Sequence, residues 1–150
     1  MKVREIMQTE LVKINKGATY KEVAKMLKDS GVSGAPVVDE DNTLIGIVSE
    51  KDLFRLLFPD YREFYENPET YVTFEEKEKE IMTIQDMKVE DFMSRDLTFV
   101  YPDDPVLKAA ALIISHSIHR LPVVEQGKVI GVVTRRHVYA NIFKKYLGIE

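Results

Sequence analysis

The chain repeats itself, and this constrains its fold more than any other feature. Val3–Met7 (VREIM) returns as Val89–Met93 (VEDFM), and Ala35–Val38 (APVV) returns as Leu121–Val124 (LPVV), both 86 positions later. Leu44–Ser49 (LIGIVS) returns as Val129–Thr134 (VIGVVT) at a spacing of 85. The lost residue falls in a turn, where two copies of one structure tolerate a deletion. Three blocks in one order at nearly one offset describe a duplicated unit of fewer than about 60 residues.

Each copy has the same internal grammar. In the first, Thr19 with Glu22 three residues on reads as a capping box opening a helix. Val23, Met26 and Leu27 share one face of that helix, and Gly31 stops it. In the second, Asp104 is the expected N-cap with Pro105 just inside, and Ala109, Leu112 and Ile113 occupy the matching face. Two short strands follow in each copy: Ala35–Val38 with Leu44–Val48, and Leu121–Val124 with Val129–Val133. Their turns, Asp39–Asn42 and Gln126-Gly127, make each pair a hairpin. A second helix starts at Ser49 or Thr134 and carries Leu53, Leu56 and Leu57, or Val138, Ile142 and Phe143, as its apolar stripe. A short strand near Leu11–Ile14, or Leu97–Val100, precedes the first helix. The unit is β-α-β-β-α, too small to bury its sheet and both helices alone. The expected fold class is therefore α+β, two repeats packed sheet against sheet with pseudo-two-fold symmetry, over residues 1–58 and 89–150.

Residues 59–88 form an insertion of different character. From Asp60 to Glu80 it holds eight acids against three bases. Tyr61, Phe64 and Tyr65 stand at helical spacing, and Tyr71 and Phe74 follow. These aromatics either pack a helical excursion onto the repeats or a second subunit, or form a partner surface or ligand lid. Glu75–Glu80 reads as a solvated helix face.

Composition narrows the function. The 150 residues are 45% hydrophobic, enough for a core. The 21 basic and 25 acidic residues leave a net charge of −4, which argues against nucleic-acid binding through phosphate contacts. No run approaches the roughly 20 apolar residues of a membrane span, and Arg4 and Glu5 stand where a signal peptide would be apolar. A cytoplasmic protein is expected. The absence of cysteine excludes a disulfide framework, a thiolate nucleophile and a Cys-based zinc site.

Gly46–Asp52 (GIVSEKD), following an Ala-Pro-Val-Val strand and a short hairpin, resembles a CBS domain. His119–Val124 (HRLPVV) with Gly131–Thr134 (GVVT) resembles a second. Together they cover residues 3–58 and 89–146, and a tandem pair in this family is called a Bateman module. The resemblance implies a stand-alone regulatory module that binds AMP, ADP, ATP or another adenosyl ligand between its repeats, with AMP the foremost candidate. It also implies a homodimer, commonly a flat disk, and an effector on a separate protein.

The matching residues can be read physically as well. Ser49 lies where a strand gives way to a helix, and Asp52 lies one turn inside. On spacing alone the two are either an ordinary helix cap or a ligand site in which Asp52 accepts two ribose hydroxyls. The resemblance favours the second. It also implies that Gly34 and Ala35 border the adenine and that Leu11 and Val12 supply apolar walls. Arg120 and Arg136 match phosphate-binding positions, a task that suits the planar guanidinium; the alternative is surface charge offsetting the acidic insertion.

The second copy departs from this pattern. His137 stands where Asp52 does, and neutral imidazole has one acceptor nitrogen, so it cannot receive two hydroxyls. One good nucleoside site is expected, with a weaker second cleft lined by Leu97, Thr98, His119, Arg120, Thr134 and His137. No catalytic residues and no metal site are assigned. His116, His119 and His137 lack the companions of a metal motif, and no phosphate-binding glycine loop or nucleophile elbow is present. The alternative to a ligand sensor is a protein-interaction adaptor that works through the acidic aromatic insertion.

Overall fold

The computed structural model describes residues 1–57, 66 and 74–150. Helix α1 (Tyr20–Ser30) begins where the Thr19 hydroxyl accepts the Glu22 N–H, and it ends at Gly31 in a left-handed conformation, φ 65°. Its counterpart α4 (Val106–His116) has the same length and ends at Ser117, also left-handed at φ 52°. The N-cap of α4 is Pro105, not Asp104. The Asp104 carboxylate instead accepts the Tyr101 N–H at 2.8 Å and the Lys108 ammonium at 3.0 Å, so it closes the turn before the helix.

Strands β2 (Gly34–Val38) and β3 (Leu44–Ser49) form one antiparallel hairpin, β4 (Arg120–Glu125) and β5 (Lys128–Thr134) the other. Each carries an irregularity at the same place, between Val37 and Val38 or between Val123 and Val124. The opening strand is shorter than expected. β1 is Ile14–Asn15, parallel to β2, and in the second copy Val100 alone bridges to Val123. Helices α2 (Glu50–Arg55) and α5 (Arg135–Leu147) follow the hairpins, capped by Ser49 and Thr134 as expected. Leu53 and Val138 are buried on them and Leu57 just past α2, but Phe143 stays 44% exposed because α5 runs on past the core.

The insertion supplies α3 (Phe74–Thr83), whose Glu75, Glu76, Glu78 and Glu80 are exposed. Tyr61, Phe64, Tyr65 and Tyr71 lie outside the described residues.

The packing crosses between the copies. Val3, Ile6 and Met7 join the core built on α4 and β4–β5, while Val89, Phe92 and Met93 join the core built on α1 and β2–β3. Backbone bonds fix each exchange: Gln8 pairs with Val132 and Ser94 with Ile47, both at 2.8 to 2.9 Å in the two directions. Arg4 binds both oxygens of Asp103, at 2.8 and 3.0 Å. The hairpin tips also meet, Leu44 N–H donating to Gly127 and Val129 N–H to Asn42. Val38, Leu44, Val124 and Val129 bury a small cluster there. Residues 9–13 and 95–99 therefore run from one repeat to the other, which is why they are not strand.

Candidate ligand cleft between the repeats

The exchange leaves a cavity of ≈ 360 Å³ walled by both repeats. That is within the roughly 300–1,000 Å³ of small-molecule sites. One wall is apolar. Leu11 and Val12 come from the crossing segment, and the small Gly34 and Ala35 open β2. Gly34 has a specific reason to lack a side chain: a Cβ there would lie 2.9 Å from the Val48 carbonyl oxygen across the hairpin.

Polar groups come from the start of α2 in the first repeat and from the end of α4 and the start of β4 in the second. Ser49, Glu50 and Lys51 border the cavity from the first repeat, and Ser117, His119 and Arg120 from the second. Glu50 N–H donates to Ser33 O and Arg135 N–H to His119 O, so each helix start is tied to the start of its own first hairpin strand. Among the described residues neither Lys51 nor Arg120 enters an ion pair, which leaves both cations available to an anion.

Of the residues named from sequence, the structure brings Leu11, Val12, Gly34, Ala35, Ser49 and Arg120 to one cavity, and adds His119, which was assigned to the second cleft. Asp52 and Arg136 are not on its wall, nor are Leu97, Thr98, Thr134 and His137. Asp52 sits behind Ser49, 7% exposed. Its Oδ2 accepts the Ser49 N–H at 2.8 Å and the Ser49 hydroxyl at 3.2 Å, and its Oδ1 meets the Arg55 guanidinium at 3.3 Å. In the second copy the Thr134 hydroxyl accepts the His137 N–H, and the buried Nδ1 of His137 has no hydrogen-bond partner among the described residues.

Glu50, Lys51 and Ser117 border the cavity without having been read from sequence, and Lys51 is the cation among them. The repeat itself held the signal, because Lys51 stands at the position of Arg136 at the spacing of 85. Among the described residues no three His, Cys, Asp or Glu side chains gather where a metal could be held, and no helix is long and apolar enough to cross a membrane.

Two fused copies of one small α+β unit, exchanging their opening turns around a shared cleft, define a paired-repeat module. The chain belongs to the CBS domain family, whose model matches residues 3–59 and 89–144. It is 31% identical over 147 residues to the uncharacterized protein MJ1426 of Methanocaldococcus jannaschii, covering 90% of this chain and 87% of that one. It is equally similar, 31% over 137 residues, to a segment of the A-adding tRNA nucleotidyltransferase of Aquifex aeolicus, of which it spans 14%. The fold matches CBSX2 of Arabidopsis thaliana with a TM-score of 0.78 at 28% identity, over 96% of this chain and 95% of that one. A structure of CBSX2 in complex with AMP matches with a TM-score of 0.73 at 26% identity, over 96% and 97% of the two chains. The CBS pair of MJ0100, solved with 5′-methylthioadenosine and S-adenosyl-L-methionine, shares the fold at 21% identity and a TM-score of 0.68, over 97% and 98%.

Proposed function

We propose that this module binds AMP in the cavity between its repeats and acts as a regulatory adenine-nucleotide sensor. The observation that carries the reading is the ≈ 360 Å³ cleft, which joins an apolar wall at Leu11, Val12, Gly34 and Ala35 to the unpaired cations Lys51 and Arg120. A flat ring fits beside short side chains, and a phosphate fits beside cations. The AMP complex of the similar CBSX2 supports the same class of ligand.

In this reading the adenine lies against Gly34 and Ala35, with Ser49 and Arg120 toward the phosphate. Ribose hydroxyls lie beside Ser49, whose N–H and hydroxyl Asp52 holds from behind, off the cavity wall. The second cleft, toward Thr134, Arg136 and His137, binds nucleoside poorly because His137 offers a single acceptor. Regulation follows if ligand favours one placement of the repeats or subunits over another.

Calorimetry and thermal shift with AMP, ADP, ATP, adenosine and S-adenosylmethionine test this. AMP should raise the melting temperature saturably. Arg120→Ala should weaken AMP about tenfold or more and spare adenosine. Asp52→Ala should weaken both. Arg136→Ala is the comparison, since it lies off the cavity wall: a loss equal to that of Arg120→Ala would move the phosphate to the second cleft. No binding of any of the five would sink the sensor reading and turn attention to the insertion.

A further inference from the structure

Helices α1 and α4 end alike, with one difference. Both close on a left-handed residue, Gly31 at φ 65° in the first copy and Ser117 at φ 52° in the second. The cap itself is all backbone. Gly31 N–H donates to Lys28 O and Val32 N–H to Leu27 O, each at 3.2 Å, while Ser117 N–H donates to Ile114 O at 3.4 Å and Ile118 N–H to Ile113 O at 3.1 Å. Glycine adopts this conformation freely, whereas a residue with a Cβ crowds its own backbone there. The first copy closes the same turn with glycine, so the serine of the second holds a strained backbone that the cap does not require.

No contact within the protein accounts for it. The hydroxyl bonds at this helix end belong to Ser115, with Leu112 O and His116 Nδ1. The hydroxyl of Ser117, an exposed residue, enters none among the described residues. What sets the two positions apart is the cavity. Residues 32–34 and 118–120 line it from both copies, and Ser117 lines it as well, while Gly31 does not.

The cavity is graded from floor to rim. Its buried lining residues, Ala35, Pro36, Pro122 and Val132, are all apolar. Its exposed ones, Ser33, Glu50, Lys51, Ser117 and His119, are all polar. A ligand with one flat apolar end and one charged end therefore lies ring inward, with its charge among the rim residues. Ser117 belongs to that rim, just before His119 and Arg120 in sequence, and its hydroxyl is a donor without a protein partner. We infer, resting on the AMP reading of this cavity, that the Ser117 hydroxyl donates to a phosphoryl oxygen of the ligand. The backbone strain of the left-handed serine is present in the ligand-free protein, and the bond to phosphate offsets it only when nucleotide is bound.

Strain and contact separate in three variants, each followed by thermal melts without ligand and by calorimetry with AMP and adenosine. Ser117→Gly should raise the melting temperature by about 2–4 °C, weaken AMP about three- to tenfold and leave adenosine unchanged. Ser117→Ala keeps the Cβ and loses only the hydroxyl, so it should weaken AMP equally while its melting temperature stays within about 1 °C of the unaltered chain. Gly31→Ser is the mirror change, at a position where a Cβ meets nothing within 4 Å. It should lower the melting temperature and leave AMP binding unchanged. AMP bound by Ser117→Ala as tightly as by the unaltered chain, or an equal loss of adenosine, would overturn the contact and leave the AMP reading standing. A melting temperature that does not rise in Ser117→Gly would overturn the strain. Failure of the unaltered chain to bind AMP at all would overturn both the reading and the inference built on it.

Discussion

Asn42 holds a left-handed conformation, φ 63°, at the tip of the first hairpin. Its Nδ2 donates to Val129 O at 2.8 Å and its Oδ1 accepts from Lys13 Nζ at 2.9 Å, so one side chain joins the turn to the opposite repeat. Asn tolerates this backbone and a branched residue does not. Asn42→Val should cost about 2–4 kcal/mol in urea unfolding, the sum of strain and lost bonds, and Asn42→Gly less. Beside it, Asp39 Oδ1 accepts the N–H groups of Asp41 and Thr43, both at 2.9 Å. The Thr43 bond is the largest influence holding its carboxyl below the usual range. A depressed folded pKa stabilises above the unfolded value near 4 and loses that contribution as pH falls through the folded one. Melts should therefore show Asp39→Ala destabilised at pH 7 and little changed from the unaltered chain near pH 2. This turn was legible as a turn from Asp and Asn alone. The link from Asn42 to Val129 was not, because it joins residues 87 apart whose approach depends on the assembled pair.

At the scale of elements, the two glycines of the repeated Ile-Gly step make room for the exchanged methionines. The three atoms nearest a Cβ at Gly46 would all be side-chain atoms of Met93, whereas one at Gly131 would lie 2.9 Å from the Gln8 backbone oxygen and 3.0 Å from Met7 Sδ. A flexible thioether yields more readily than backbone. Gly131→Ala should therefore cost about 1–3 kcal/mol and Gly46→Ala less, and Met93→Ala should relieve a further part of the Gly46→Ala loss. Chemical denaturation of the four variants checks this order. Signals confined to one element were readable in sequence: Thr19 and Gly31 bound α1 as expected. Signals that depend on the partner copy were not. Leu11–Lys13 has strand composition, yet it spends its length crossing from the Gln8 bridge to Ile14. The site divides the same way. Gly34, Ala35 and Ser49 reach the cavity because they end elements of one hairpin, while His119 and Lys51 line one cavity only through the packing of two copies.

For the whole molecule, the exchanged opening turns mean that neither copy contains its own complete core. Residues 1–58 lack Val89, Phe92 and Met93, and residues 81–150 lack Val3, Ile6 and Met7. Each fragment alone should show little cooperative thermal transition by circular dichroism, and an equimolar mixture should regain one. The Arg4–Asp103 clasp belongs to the same exchange, and Arg4 holds the Asp103 carboxyl below its usual value. Stability from this pair is present above about pH 4 and fades as acid protonates Asp103. Arg4→Ala should therefore lower the melting temperature at pH 7 and flatten its fall on acidification.

The same exchange bears on how such a chain came to exist. An ancestral single unit with this architecture could have completed its core only by lending its opening turn to a twin and borrowing the twin's in return. Joining two such units in one chain turns a concentration-dependent partnership into a permanent one. With the copies joined neither half can be dispensed with, yet each can differ where the shared core is not touched, as Asp52 and Lys21 in one copy and His137 and Leu107 in the other do.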